Sequence, residues 1–436
     1  MSTNACPACR PALDASEAPG LPWVGASGNE SPREDRQSLL ILAILSMLMA
    51  FASISTDLYL PALPAMGRAL HAGPGTIELT ISGYLIGFSV GQLFWGPIAD
   101  RFGRRLPVAI GLVLFIVGSA GCALSNDATA LIAWRGVQAI GACASVVLAR
   151  AMVRDLYEGA RAARMMSTLI TVMAIAPLIG PSLGGWILHV ASWRAIFWTL
   201  VVVGLLTLAS LRFLPETLHQ AHRSRESLGT AFGRYLELLR HSPLLAYAGA
   251  GGFFYGGVYA YIAGTPFAFI SYYHVSPQRY GVLFAAGILG IMITNQINGR
   301  LVASVGSDRL LRFGAQGAAV STLWLVVDAW TGWGTLAGLV IPLFVFVSAN
   351  GFIVANSIAG ALGAFPRRAG AVSALVGAMQ YGSGILGSAL VGLLADGTPR
   401  PMAWVIAAFG IGSLVCVQFL PKSASAGASA IQGETP

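Results

Sequence analysis

Two charged residues stand inside stretches that are otherwise apolar. Asp57 lies in LMAFASISTDLYL, and Arg135 lies in LIAWRGVQAIG. A carboxyl group can take up and release a proton, and a guanidinium group offers several hydrogen-bond donors to an anion. An unpaired charge in hydrocarbon costs at least about 2.5–3.5 kcal/mol. We therefore expect both side chains to face a wet cavity and to interact directly or through water.

This pattern predicts that Asp57 carries a proton and that Arg135 takes part in the coupling. The second half of the chain has no acid or base deep in an apolar stretch, so the coupling is predicted to lie in the first half. Two structural alternatives stay open. Asp57 could be a residue near the outer mouth that only caps or pairs structurally, and Arg135 could be a structural clamp on helices one and four.

The elements that must position these charges are membrane helices. Of the 436 residues, 56% are hydrophobic and 10% are charged, with a mean hydropathy of +0.71. Soluble proteins carry about 25% charged residues, so the composition excludes a soluble globular domain. A spanning helix needs about 20 apolar residues, and the chain has room for twelve. The predicted spans are residues 39–60, 77–99, 107–124, 130–151, 165–189, 194–214, 243–270, 280–301, 310–329, 335–358, 371–394 and 400–420.

One long polar interruption divides these spans six plus six. We predict a disordered cytoplasmic tail at 1–38, an N-terminal six-helix bundle at 39–214, a central cytoplasmic loop at 215–242, a C-terminal six-helix bundle at 243–420 and a cytoplasmic tail at 421–436. Glycines repeat between the halves, because Gly96 and Gly103 have the same spacing as Gly299 and Gly306. Together these features favour two parallel repeats, which is a transporter architecture.

The basic residues give the orientation. The net charge is +8, and most of the 26 Lys and Arg residues fall on one side of the predicted spans. Positive loops stay in the cytoplasm, so both termini are predicted there, with an even number of spans. Topology then explains the basic excess, and we predict no nucleic-acid partner.

A string rich in glycine and charge follows the second predicted span, where residues 96–105 read GPIADRFGRR. Glycines permit a tight turn, Asp100 is placed to meet a cation or a helix N-terminus on the opposite half, and the arginines hold the loop at the inner surface. A positive-inside turn with no further role is the alternative. The candidate residues of this inner gate loop are Gly96, Asp100, Arg101, Gly103, Arg104 and Arg105.

A second string, APLIGPSLGG at 176–185, lies in the fifth predicted span. Pro177 and Pro181 remove backbone donors and bend the helix. Gly180, Gly184 and Gly185 leave a flat face for close packing. Ordinary glycine-mediated packing is the alternative to a specialised role.

These strings resemble motifs of the major facilitator superfamily, in its drug/proton antiporter group. TDLYLPALP at 56–64, WRGVQAIGA at 134–142, ARAMVRD at 149–155 and LPETL at 214–218 are similar to the bicyclomycin and chloramphenicol resistance family. The resemblance covers about residues 39–420. It implies that the 96–105 loop is an inner gate, that the 176–185 string seals an interface against ion leak, and that Asp57 and Arg135 take part in proton coupling.

Aromatic and amide side chains are the candidates for a substrate cavity, although each fits helix–helix contact equally well. They are Tyr59, Gln138, Phe254, Tyr255, Tyr259, Asn295, Asn356 and Gln380. A single buried carboxylate in the first span argues against obligate recognition of cations. It favours neutral or zwitterionic amphipathic substrates.

The prediction is an all-α membrane protein of twelve transmembrane helices in two six-helix bundles around a central cavity. The resemblance implies a monomer of the bacterial inner membrane that exchanges protons for drug-like compounds, such as bicyclomycin- or chloramphenicol-type antibiotics. We expect no enzymatic activity, no cofactor and no metal, with the proton gradient as energy source and the lipid bilayer as surroundings. The alternatives are a symporter or metabolite exporter on the same fold, a membrane-embedded enzyme, and a ligand sensor.

Overall fold

The computed structural model describes residues 32–157, 159–219, 223, 237–363, 365 and 369–420. Predictions for residues 1–31, for most of the central loop and for 421–436 lie outside these residues. Residues up to Leu40 form a separate unit from those that begin at Ile41. The contacts described below lie within residues 41–420.

The described residues fold into helices in the predicted order, and we number the membrane spans one to twelve. Spans one to six are Pro32–Asp57 with Leu63–Ala69, Pro74–Phe102, Arg105–Leu124, Ala128–Leu156, Gly159–Val190 and Trp193–Ser210. Spans seven to twelve are Ser242–Pro266, Pro277–Val305, Ser307–Thr331, Thr335–Ser348 with Asn350–Gly363, Ala369–Leu394 and Arg400–Gln418. Short 3-10 helices occur at Leu60–Ala62 and Leu211–Phe213, and a π-helix at Phe267–Tyr272 extends span seven.

Eleven of these segments are long and apolar enough to cross a bilayer. The helix Ala369–Leu394 contains no charged residue and occupies the place of the eleventh predicted span. The prediction of an all-α fold with twelve membrane helices is therefore confirmed.

Helix packing repeats between the two halves of the chain. Span two packs on span four, and span three packs on spans four and six. In the second half, span eight packs on span ten, and span nine packs on spans ten and twelve. The halves meet where span two packs on span eleven and span five packs on span eight. If six is added to or subtracted from the span numbers, each of these packed pairs becomes another pair in the set. The tertiary structure therefore shows the same repeat that the glycine spacing indicated.

Two glycines end equivalent helices in the same backbone conformation. Gly103 follows span two with φ +91°, and Gly306 follows span eight with φ +90°. Side chains disfavour this region because a Cβ crowds the backbone, whereas glycine occupies it freely. The two inner loops therefore begin with the same turn.

Span one breaks immediately after Asp57 and extends further than predicted. Its first helix ends there, and a 3-10 turn leads into a second helix that runs to Ala69. Pro61 and Pro64 lack a backbone N–H and cannot continue the hydrogen bonding of a regular helix. The break places the Asp57 carboxyl at the end of a helix, inside the protein.

The halves are closed on the outer side and open on the inner side. The hydroxyl oxygens of Ser82 and Ser388 lie 2.8 Å apart across spans two and eleven, on the outer side. By contrast, the inner part of span eight exposes nearly every side chain from 295 to 304. A helix that contacts lipid on one side and protein on the other exposes only one face. Within this stretch Asn298 is buried against span ten and its neighbours on the other sides are exposed, so the face of span eight toward span five is also open here.

Candidate functional site

Arg135 is fully buried at the centre of the first half. Its Nη1 donates a hydrogen bond to the Ser55 carbonyl oxygen at 3.0 Å and another to Gln138 Oε1. The guanidinium carbon lies 4.1 Å from the Tyr59 ring centre and 4.3 Å from that of Tyr84. Two aromatic faces and two oxygen atoms thus stabilise a cation that the bilayer would otherwise destabilise.

The groups around Arg135 are themselves held by hydrogen bonds. The Tyr84 hydroxyl lies 2.6 Å from Ser55 Oγ, and the Tyr59 hydroxyl lies 3.2 Å from Thr80 Oγ1. Gln138 Nε2 donates to Ser119 Oγ at 2.7 Å. Spans one to four are therefore connected through one polar network. Gln138 and Tyr59, which we predicted to line the cavity, are fully buried in this network.

Asp57 is 5% exposed. The two predicted coupling residues are not paired directly. No ion pair within 4.0 Å joins Asp57 to Arg135 in the described part of the chain. Arg135 thus contacts span one at residues that flank Asp57.

Tyrosines of the second half are the electrostatic neighbours of Asp57. The carboxyl group lies close enough to interact with Tyr259 and Tyr261 of span seven and with Tyr280 of span eight. Asp57 thus belongs to the first half by sequence and lies within electrostatic range of the second half.

The glycines of span five pack against the break in span one. A Cβ at Gly180 would lie 3.0 Å from Asp57 Cβ, and a Cβ at Gly184 would collide with the Leu58 carbonyl oxygen. A Cβ at Gly185 would lie 2.9 Å from the Pro277 carbonyl oxygen at the start of span eight. Pro177 and Pro181 lie inside the same helix, on either side of Gly180. The 176–185 string therefore occupies an interface between the halves, directly beside Asp57.

Four aromatic rings meet where spans two, seven and eleven converge. They are Phe88, Tyr255, Tyr259 and Tyr381, and we call them the aromatic cluster. The Tyr381 ring centre lies 4.8 Å from that of Phe88, 6.4 Å from that of Tyr255 and 6.3 Å from that of Tyr259. Tyr255 and Tyr259 were predicted cavity residues. Sequence reasoning missed Phe88 and Tyr381, although Tyr84 and Phe88 show the i, i+4 spacing of a shared helix face.

Two other predicted cavity residues take part in helix packing. Phe254 is fully buried, and its ring centre lies 5.1 Å from that of Phe346. Asn356 is buried, donates from Nδ2 to Asn298 Oδ1 at 2.6 Å and accepts from Ser307 Oγ at 3.0 Å. Asn356 therefore connects spans eight, nine and ten. Both residues therefore make helix–helix contacts, which was the alternative to lining a substrate cavity.

Gln380 and Asn295 also lie apart from the aromatic cluster. Gln380 is buried beside Gly251 of span seven, and its Nε2 has no hydrogen-bond partner. Asn295 lies exposed on the inner half of span eight. Of the eight predicted cavity residues, the structure brings only Tyr255 and Tyr259 into the cluster.

A second buried carboxyl group lies where span two meets span eleven. Glu78 is 3% exposed, its Cβ lies against Gly392, and its Oε2 has no hydrogen-bond partner among the described residues. Unlike Asp57, it faces the outer part of the closed interface.

The predicted inner gate loop is anchored by an ionic network. Arg104 Nη1 lies 2.5 Å from Asp100 Oδ1, and Arg104 Nε lies 2.8 Å from Asp155 Oδ2 at the end of span four. The expectation that Asp100 meets the opposite half is not observed in this structure. Its ionic partner is Arg104, which lies four residues further along the chain, after the Gly103 turn. Arg101 and Arg105 are exposed, and Gly96 has open space around its Cα.

Glu216 of the LPETL string caps this loop. Its carboxylate accepts hydrogen bonds from the backbone N–H groups of Arg104 at 2.7 Å and Arg105 at 3.1 Å. Burial opposes ionisation of Glu216, but backbone donors, including those of Leu218 and Thr217, hold the pKa of the carboxyl below its ordinary value. The string that follows span six therefore fastens the loop between spans two and three.

No group of three or more His, Cys, Asp and Glu side chains in the described part of the chain is arranged to hold a metal ion. The polar groups described above can take up protons, donate hydrogen bonds and contact aromatic compounds.

Residues 45–267 match the sequence profile of the Major Facilitator Superfamily. The chain is 35% identical to the uncharacterized MFS-type transporter YdgK of Bacillus subtilis, over 85% of this chain and 92% of that protein. It is 31% identical to a bicyclomycin resistance protein homolog of Haemophilus influenzae, over 88% of this chain and 95% of that protein. The crystal structure of a D-xylose-proton symporter is similar with a TM-score of 0.72 and 16% identity, over 88% of this chain and 98% of that one. That last likeness concerns the fold alone.

Proposed function

The chain belongs to the Major Facilitator Superfamily, and we propose that it exports small amphipathic drug-like compounds in exchange for protons. The proposed location is the bacterial inner membrane, with both termini in the cytoplasm and the chain acting as a monomer. The moving bodies are the bundles at 39–214 and 243–420. The name of the Haemophilus relative and the resemblance of spans one and four support substrates of the bicyclomycin or chloramphenicol kind.

The position of Asp57 is the observation that carries the proposed coupling. It lies buried where the break of span one, the glycines of span five and the tyrosines of span seven meet. Rocking of the two halves must change the surroundings of a group at this junction. Asp57 takes up a proton when the site opens outward and releases it when the site opens inward, and substrate moves the opposite way.

The energetics suffice for export. At 100 mV each inward proton supplies about 2.3 kcal/mol from the electrical gradient. That energy supports roughly 50-fold accumulation of a neutral substrate, before any pH difference is added.

Arg135 supports this cycle as a positioning residue. Its bond to the Ser55 carbonyl and its contact with the Tyr59 ring hold span one on both sides of Asp57. Through these contacts Arg135 sets the direction of the carboxyl group, without pairing with it in the inward-open state.

Inside-out vesicles provide the test. With a preset proton gradient, adding chloramphenicol should release protons in vesicles with the wild-type protein, and Asp57→Asn should abolish the release. Asp127→Asn is the matched control, because this exposed residue caps the outer end of span four and its variant should keep the release. Undiminished release from Asp57→Asn contradicts the proposed proton carrier. Drug movement in the same direction as the proton identifies a symporter instead.

A further inference from the structure

Arg150 is a cation without a carboxylate partner in the inner half of span four. It is exposed and lies about 9 Å, at 1.5 Å per residue, before the helix end at Leu156. Its Nη2 lies 3.9 Å from the sulfur of Met173 in span five. In the described residues no carboxylate lies within 4.0 Å of it. Arg104 at the inner surface, by contrast, has two such partners.

This cation lies within electrostatic range of the second half. Its charge acts on Tyr255 of span seven and on Tyr381 of span eleven, both in the second half. Cys143 lies two turns earlier on the same face of span four, and this face packs against span two at Gly91. Arg150 therefore lies at the inner edge of the aromatic cluster.

The aromatic cluster lies between two groups of opposite sign. Tyr259 interacts electrostatically with Asp57, and Tyr255 interacts with Arg150. Span two adds two polar atoms without hydrogen-bond partners, Ser89 Oγ and Gln92 Oε1. Both belong to residues within about one turn of Phe88. The aromatic cluster, whose three tyrosines are partly exposed, thus has a carboxyl group toward its outer side and a guanidinium group toward its inner side.

We infer that Arg150 determines the substrate class of this transporter, by binding the electronegative or anionic end of an amphipathic compound whose flat body lies on the aromatic cluster. The inference rests on the proposed function and refines it. A guanidinium group presents a planar fork of donors that fits carboxylate and nitro groups and stacks on rings. Dipolar compounds bind with the electronegative end toward the cytoplasm, and compounds whose only charge is a cation are disfavoured at this end.

Equilibrium binding to the purified full chain tests the inference without a proton gradient. The probes are three dansyl compounds of similar size that end in a carboxylate, a primary amide or a trimethylammonium group, followed by dansyl fluorescence. We expect Arg150→Gln to lower the affinity for the carboxylate probe about tenfold, in line with the loss of one charge-assisted hydrogen bond. The affinity for the amide probe should fall less, and the trimethylammonium probe should bind the variant as tightly as the wild-type protein or more tightly.

Two further variants separate recognition from folding and from surface charge. Arg154→Gln removes the same charge one turn closer to the inner surface, and it should leave all three affinities unchanged. Arg150→Lys keeps the charge without the fork and should recover part of the carboxylate affinity. Three outcomes would each overturn the inference. They are an equal loss of affinity for all three probes in Arg150→Gln, the same loss of affinity in Arg154→Gln, and no loss of affinity in Arg150→Gln.

Failure of the inference and failure of the proposed function have different signatures. If proton release in vesicles persists in Arg150→Gln with no change in probe preference, only the substrate assignment fails. If Asp57→Asn vesicles still release protons while Arg150→Gln changes the preference among probes, only the proposed coupling fails.

Discussion

The two halves of this protein have the same packing and different chemistry. The first half buries Asp57, Glu78 and Arg135 within its spans. In the second half the deep polar contact is a neutral pair, in which Asn356 donates to Asn298. The buried carboxylate of that half, Asp328, accepts from the Gly334 N–H in a turn at the outer end of span nine. Deep in the described spans, the repeated backbone thus carries ionisable groups in one copy and a pair of amides in the other, as expected if the proposed coupling belongs to the first half.

The inner loops show the same contrast on a smaller scale. Gly103 and Gly306 adopt the same backbone conformation, but different side-chain interactions stabilise the loop after each glycine. The first loop is held by Arg104 and Glu216. The second is held by a hydrogen bond of 2.8 Å from the Tyr247 hydroxyl to Asp308. Backbone geometry is therefore shared, whereas the side chains that secure it are specific to each half.

The largest difference between the halves should appear when their deep polar groups are replaced. Arg135→Leu removes charge-assisted hydrogen bonds worth about 1.5–3 kcal/mol each, together with two ring contacts, and we expect loss of drug-dependent proton release. Asn356→Leu removes a neutral pair worth about 1 kcal/mol per bond and should lower the melting temperature while transport continues. Transport assays and thermal melts in detergent check both. Full activity of Arg135→Leu would show that the network is dispensable.

Gly184 and Gly387 occupy corresponding positions in spans five and eleven. A Cβ at Gly184 would collide with the Leu58 carbonyl oxygen, and one at Gly387 with the Gly256 carbonyl oxygen. Overpacking of this kind costs about 1–3 kcal/mol, so Gly184→Ala and Gly387→Ala should destabilise the protein similarly in thermal melts. Only Gly184→Ala, which disturbs the residue after Asp57, should also impair coupling. Equal loss of coupling in both variants would remove the distinction between the halves.

Gly103 and Gly306 offer a comparison with a smaller expected effect. Alanine at either position is strained by about 1–3 kcal/mol because the backbone lies in a region nearly restricted to glycine. At Gly103 the added Cβ would also lie 2.6 Å from Glu216 Oε2, whereas at Gly306 nothing lies within 4 Å. Thermal melts should therefore give a larger loss for Gly103→Ala than for Gly306→Ala. Equal losses would mean that the Glu216 cap adds no constraint.

The smallest expected effect is a pH dependence from the Glu216 cap. Its pKa is lowered by folding, so its contribution to stability is present above the ordinary glutamate pKa of about 4.3. The contribution is lost as the pH falls through the lower folded value. The melting temperature should fall by about 2 °C between pH 7 and pH 3 because of this group. Glu216→Gln should remove that part of the fall. An identical pH profile in both proteins would contradict this role.

Several features of the fold and the site follow from local sequence. The spans follow from apolar length, because a helix in lipid satisfies all of its own backbone hydrogen bonds. The burial of Arg135 and Asp57 follows from their positions inside such runs. The matched turns at Gly103 and Gly306 follow from equal glycine spacing in the two halves.

Other features depend on which helix faces meet, and single-sequence reasoning missed them. The Tyr381 ring contacts the Phe88 ring where spans two and eleven pack together. No local sequence pattern predicts this contact. Glu216 caps a loop that lies more than a hundred residues earlier in the chain. The break of span one at Asp57 had a local signal in Pro61 and Pro64, but its position depends on packing against Gly184.

The amino-acid sequence by itself determined the membrane architecture, the two copies of the repeat and the identity of the buried charges, because hydropathy, glycine spacing and charge are properties of the chain alone. Only the tertiary structure decided that Arg135 contacts the Ser55 carbonyl and not Asp57, and that Asp57 faces tyrosines of the other half. The reason is geometric. Arg135 of span four meets span one at a backbone carbonyl, and Gly180 and Gly184 of span five pack against Asp57 and Leu58, so the packing of helices that are distant in the sequence fixes the partners of each charge.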